Sequence, residues 1–158
     1  MNTRTDTINA LAQSNADFLA AAKKYPIEKR RDKPNAKAFS ATEVLYHMID
    51  VEKLWQRRLQ RLISGESREF IAMDPDKEAV EQAYNSRDYD EGLEDLAELR
   101  QRSIELFRGM QDEQFELTGM HTRYGEMSVD RIMEIMTNHD AQHARQLERT
   151  EKELLALA

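Results

Sequence analysis

The stretch "NHDAQHARQLE", residues 138 to 148, sets His139 and His143 four residues apart in a chain with four histidines. On a helix, side chains at i and i+4 stand on the same face one turn apart. Two neutral imidazoles so placed can direct nitrogens at one point about 2.0 to 2.1 Å from each, a geometry suited to zinc or nickel. A third histidine, His47, lies within "TEVLYHMIDVEKLW" on the face made by Val44, Val51 and Leu54. Three converging imidazoles would hold a divalent metal and leave a coordination position open. The simpler alternative is three core histidines, but burying imidazoles without a metal requires a partner for every ring nitrogen.

These residues need elements to position them, and the apolar pattern supplies four at helical period. The first, about 5 to 24, carries Ile8, Leu11, Phe18, Leu19 and Ala22, and "YPIEKRRDKPN" ends it through Pro26 and Pro34. The second opens at Ser40, with Glu43 placed for a capping box, and closes at Ser64 and Gly65. The third runs from about 88 to 109 on Leu93, Leu96, Leu99, Leu106 and Phe107, with Gly109 as its stop. The fourth begins after Ser128 and continues to about 154, its stripe reading Ile132, Ile135, Met136, His139, His143, Leu147 and Leu154. No strand-like alternation stands out. The connection between the second and third segments is long for a bare loop, so a short helix is expected around 77 to 85, started by Asp76. A connection of that length can cross the bundle and set helices two and three parallel.

The expected fold is therefore all-α, a four-helix bundle with a long crossover between helices 2 and 3, forming one domain over residues 1–158. The net charge of −7 opposes nucleic-acid binding, which needs phosphates neutralised by Lys and Arg. No stretch approaches the roughly 20 apolar residues that span a bilayer, and the N-terminal run lacks a continuous apolar region, so membrane association is not expected and a cytoplasmic location is. With no cysteine in the sequence, any metal must use nitrogen and oxygen ligands.

"TEVLYHMIDVEKLW" together with "HTRYGEMSVDRIMEIMTNHDAQHARQL" resembles the DinB-like superfamily of metal-binding four-helix bundles, over about residues 5 to 150. The specific part is one histidine in helix two followed by an acidic residue and an aromatic, then a histidine-aspartate-x-x-histidine-x-x-glutamine run in helix four. The resemblance implies metal ligation by His47, His139 and His143. It also implies an activity of the kind assigned to family members, mostly thiol-dependent S-transfer using bacillithiol, mycothiol or glutathione, and a homodimer. The motif identifies a metal site better than a reaction. The expected function is thus S-transfer, in which the metal, zinc or nickel, activates a low-molecular-weight thiol toward a small-molecule substrate. The alternatives are metal-dependent hydrolysis and a non-enzymatic, stress-associated metal-binding dimer.

Around the three histidines, Asp50 and Asp140 stand three residues from His47 and His143, within reach of an imidazole on their own helices. Such a carboxylate would fix the ring tautomer and make the ligand more basic, against the plainer role of a surface acid. His121 falls on an expected loop, where exposure is the simplest outcome and contact with substrate the alternative if the loop folds over the bundle mouth. Trp55 and the eight methionines read as core, and Lys29, Arg30, Arg31 and Lys33 as a solvated run. An ordinary histidine pKa of about 6.5 predicts that protons and metal compete for the site between pH 8 and 5.

Overall fold

A computed structural model describes residues 3–158. It contains helices α1 (Arg4–Lys23), α2 (Ala41–Ser64), α3 (Pro75–Glu81), α4 (Tyr89–Arg108) and α5 (Val129–Leu157), and strands β1 (Glu69–Phe70), β2 (Thr118–His121) and β3 (Gly125–Ser128). The long helices start where the sequence predicts. Ser40 and Glu43 form the reciprocal capping box of α2, and the Ser128 hydroxyl accepts from the Arg131 amide at the start of α5. Gly65 ends α2 in the left-handed region at φ 79°, a conformation that favours glycine.

Pairings between helices give their directions. From α2 to α4, Tyr46 reaches Asp88, Glu52 meets Arg100, and Gln56 meets Ser103, so both helices advance together and are parallel. Arg4 pairs with Asp130 and Ser14 with Asp140, which makes α1 and α5 parallel as well. Between α1 and α4 the order reverses, since Leu11 accepts from Arg100 and Ala22 from Tyr89. The result is a four-helix bundle with a long crossover from α2 to α4, which the length of residues 65–88 permits.

That crossover departs from expectation in two ways. Its helix begins at Pro75 rather than near 77, with Asp74 as the cap, because Pro at the first helical position needs no amide partner. Its first part is a strand. β1 pairs in parallel with β2, and β2 pairs antiparallel with β3, giving a three-stranded sheet in the order β1-β2-β3. Strands of two and four residues are too short to leave a readable period. Gly119 permits the sheet to close on the bundle, for a Cβ there would lie 2.0 Å from the Phe70 ring.

The interior is two apolar clusters separated by a polar layer. Phe18, Leu19, Leu45, Tyr46, Leu96 and Leu147 belong to one cluster, and Leu11, Trp55, Leu59, Phe70, Phe107 and Ile132 to the other. Along each long helix the residues between these groups are polar and buried: Asn15 on α1, Glu52 on α2, Arg100 and Ser103 on α4, and Asp140 on α5. His139 adjoins Asp140 of this layer, whereas His47 stands between Tyr46 and Met48 of the first cluster. Among the described residues, no helix is long and apolar enough to cross a membrane.

Candidate metal centre

His47 projects from α2, and His139 and His143 project from successive turns of α5, where α2 and α5 approach across the polar layer. His139 Nε2 lies 3.2 Å from His47 Nε2 and 3.0 Å from His143 Nε2. Ligand nitrogens of all three rings fall within 4.8 Å of one another. Nitrogens bound to one tetrahedral zinc are about 3.3 Å apart for bonds of 2.0 to 2.1 Å, so little movement separates this arrangement from a ligand set.

The proton inventory supports the same conclusion. The side-chain oxygen of Gln146 can only accept, so His143 Nδ1–H donates to Gln146 Oε1 at 2.5 Å and leaves His143 Nε2 with its lone pair toward the cluster. His139 Nε2 faces two neighbouring nitrogens yet can carry only one proton, which leaves at least one lone pair or proton without a complementary partner. His47 Nδ1 is buried with no hydrogen-bond partner among the described residues. A shared cation accepts all three lone pairs, and the donor set therefore fits a divalent metal of the zinc or nickel type. Burial, followed by the neighbouring His143, pushes the His47 pKa down to about 3. Burial, the other two imidazoles and Arg100 push His139 down to about 2. His143 is lowered by burial against the opposing effects of Gln146 and Asp140. All three rings are neutral at physiological pH, the state that metal ligation requires.

Neither aspartate bonds to an imidazole. Asp50 accepts from the Tyr84 hydroxyl, which the crossover carries to α2. Asp140 is fully buried, but it turns toward α1 and α4, accepting from Ser14 Oγ at 2.5 Å and from Arg100 Nη1 at 2.6 Å. Helical spacing brought each carboxylate near a histidine. Donors from other elements then claimed it, Tyr84 of the crossover for Asp50 and Ser14 and Arg100 of neighbouring helices for Asp140.

His121 also differs from expectation. It ends β2 rather than lying on a loop, is only 7 % exposed, and stacks on Tyr124 with ring centroids 4.8 Å apart. Its Nδ1 accepts from the backbone amides of Arg123 and Tyr124 at 3.0 and 3.2 Å, which places the proton of the neutral ring on Nε2. Burial, Arg58 and Arg123 lower its pKa. The sheet thus brings His121 to the wall of a cavity of about 550 Å³ that is also lined by His47, His139, Trp55, Arg58 and Arg123. Of the basic run before α2, Arg30 stacks on Tyr89 and pairs with Asp90, while Lys33 pairs with Glu43.

Sequence reasoning passed over the charged residues Glu52, Arg58 and Arg100, and it quoted Gln146 only as the last position of the helix-four motif, without a role. Arg100 continues the stripe of Leu93, Leu96 and Phe107, and Glu52 that of Met48, Trp55 and Leu59. A charge on an apolar stripe is the signal that could have found them.

The DinB superfamily model matches residues 10–147. No curated protein sequence matches the chain significantly. Among solved structures, YfiT from Bacillus subtilis, described as a probable metal-dependent hydrolase with an unusual four-helix bundle topology, superposes with a TM-score of 0.83 at 16 % identity, covering 96 % of this chain and 87 % of YfiT. The colibactin self-resistance protein ClbS, solved in complex with a dsDNA, superposes with a TM-score of 0.70 at 12 % identity, covering 94 % of this chain and 95 % of ClbS. The ClbS complex corrects the exclusion of nucleic acid drawn from net charge, because this fold is compatible with a duplex bound to it. With its helical topology and a family match across most of its length, the chain belongs to the DinB superfamily.

Proposed function

We propose that the protein is a divalent-metal-dependent enzyme, with His47, His139 and His143 as the ligands, that transfers a small-molecule thiol to an electrophilic substrate. The observation that carries this reading is the convergence of three neutral imidazoles beside a cavity large enough for a small molecule. A bound zinc or nickel would supply Lewis acidity, stabilising the thiolate form of a thiol at neutral pH. Gln146 holds the His143 tautomer, and His121 offers an Nε2–H donor to a substrate atom.

The engagement of both nearby aspartates favours thiol transfer. Neither aspartate is free to serve as a base toward water, since Asp50 is held by Tyr84, and Asp140 by Arg100 and Ser14, and the carboxylate that lines the cavity, Glu126, is exposed. Hydrolysis remains the second reading because YfiT, of the same fold, is described as a probable metal-dependent hydrolase.

Cobalt-substituted protein tests the two. Bacillithiol, mycothiol, glutathione and coenzyme A are titrated in turn, and a sulfur-to-cobalt charge-transfer band with one of them is the expected result. Absence of the band with all four, accompanied by cleavage of ester or amide substrates, would replace transfer with hydrolysis. A duplex oligonucleotide belongs in the same series, since the ClbS complex makes DNA a ligand to be measured.

A further inference from the structure

Arg58 is a buried cation without a counterion among the described residues. It is 8 % exposed, and its guanidinium lies 4.6 Å from the centroid of the Trp55 ring and 5.7 Å from that of Phe70. Nη2 donates to the Ile71 carbonyl, but Nε is enclosed without an acceptor among the described residues. Burial, with Arg57 adding to it, lowers its pKa to about 10, so the group is still charged at neutral pH. A desolvated guanidinium normally has a carboxylate beside it, as Arg100 does in the same molecule. The carboxylate lining the Arg58 cavity is Glu126, which is exposed.

Arg58 lines the cavity that His47 and His139 also line, with Arg123 and His121 on its wall. We propose that this cavity recognises a carboxylate on the small molecule that reacts beside the histidines, and that Arg58 is the positioning residue that receives it, assisted by the Nε2–H of His121. This rests on the cavity being the substrate site of the proposed enzyme, and it names the chemical class that the site selects. A single carboxylate group matches one guanidinium whose fork is already partly engaged by Ile71. Trp55 and Phe70 flank the guanidinium, and its burial strengthens an ion pair formed there.

Trp55 is the sole tryptophan, so its fluorescence reports on the cavity directly. Metal-stripped protein is titrated with succinate and with inorganic phosphate at constant ionic strength, while metal stoichiometry is measured separately on untreated protein. Saturable quenching by succinate is expected, weakened roughly tenfold to a hundredfold in Arg58→Gln and less in Arg58→Lys, as for loss of a charge-assisted hydrogen bond. Should Arg58→Gln not fold, the Nε–H NMR resonance of Arg58 in wild type carries the test, and succinate is expected to shift it. Equal succinate affinity in wild type and Arg58→Gln, an unmoved Arg58 resonance, or tighter binding of phosphate than of succinate would overturn the proposal. Failure of the metal reading shows independently, as absence of metal in wild type with succinate binding intact.

Discussion

The polar layer across the bundle has two halves built by opposite rules. In one, Arg100 uses all five of its N–H donors: Nε and Nη2 to Glu52 at 2.9 Å each, Nη2 and Nη1 to Asp140 at 3.0 and 2.6 Å, and Nη1 to the Leu11 carbonyl at 2.9 Å. Ser103 and Ser14 donate to the same two carboxylates. Although burial opposes it, this bonding holds the Arg100 pKa above its ordinary value. In the other half, three imidazoles point nitrogens at one another and His47 Nδ1 lacks a partner among the described residues; farther along α2, between Trp55 and Leu59, Arg58 has no carboxylate partner among the described residues. A completed network fixes the packing of four helices. An incomplete one, with His139 and His143 only partly buried, is arranged for something that arrives from outside.

The largest effect that would break this comparison is predicted on the completed side. Arg100→Met leaves Glu52 and Asp140 buried as unpaired carboxylates, and urea unfolding should show a loss of about 3 to 5 kcal/mol. If the loss is below about 1 kcal/mol, the network does not hold the helices.

On the incomplete side, His47→Ala, His139→Ala and His143→Ala should each lose stoichiometric metal by elemental analysis. The thermal stabilisation that metal confers should go with it, which for wild type at one hundred times Kd amounts to about 2.7 kcal/mol. Metal retained in all three variants would remove the cluster as the binding site. A smaller effect belongs to Gln146→Leu, which releases the His143 tautomer and should weaken metal binding by about tenfold to a hundredfold. Asp50→Asn should leave metal affinity unchanged, because Asp50 bonds to Tyr84 and not to His47.

The smallest expected change is in pH dependence, and it reverses the expectation from an unperturbed histidine. The folded pKa values of His47 and His139, about 3 and about 2, lie below the unfolded value of about 6.5. Their neutral state therefore contributes stability that is complete above pH 6.5 and is lost as pH falls toward those folded values. Metal-loaded and metal-free protein share one unfolded state, so both should lose stability together below 6.5. The gap between their melting temperatures should stay constant from pH 8 to 6.5, and it should narrow below that only as far as His143, lowered by burial but held up by Gln146 and Asp140, takes up a proton. A gap that closes between pH 8 and 6.5 in a thermal-shift series would show that burial does not lower the folded imidazoles.

Much of the helical scaffold was legible because it rests on local rules. Ser40, Glu43 and Ser128 are caps whose partners lie three residues away, and four apolar stripes declare their own period. The convergence of His139 and His143 was equally legible, for one helical turn fixes it. The small sheet was not, since β1 meets β2 across about fifty residues and neither is long enough to show alternation. His121 was misplaced for the same reason: its burial depends on that pairing.

By itself, then, the sequence determined the helices, a crossover long enough to let α2 and α4 run parallel, and the residue types able to hold a metal. Tertiary structure decided how the buried charges were shared. Helical spacing put Asp140 near His143, but Arg100, forty residues away in the chain, offers a charged and desolvated fork that outcompetes a neutral imidazole for that carboxylate. The same packing left Arg58 without an acid, beside the cavity that the histidines line. Which donor meets which acceptor is a competition between helices, and only their packing settles it, because hydrogen bonds act over about 3 Å whatever the separation in sequence.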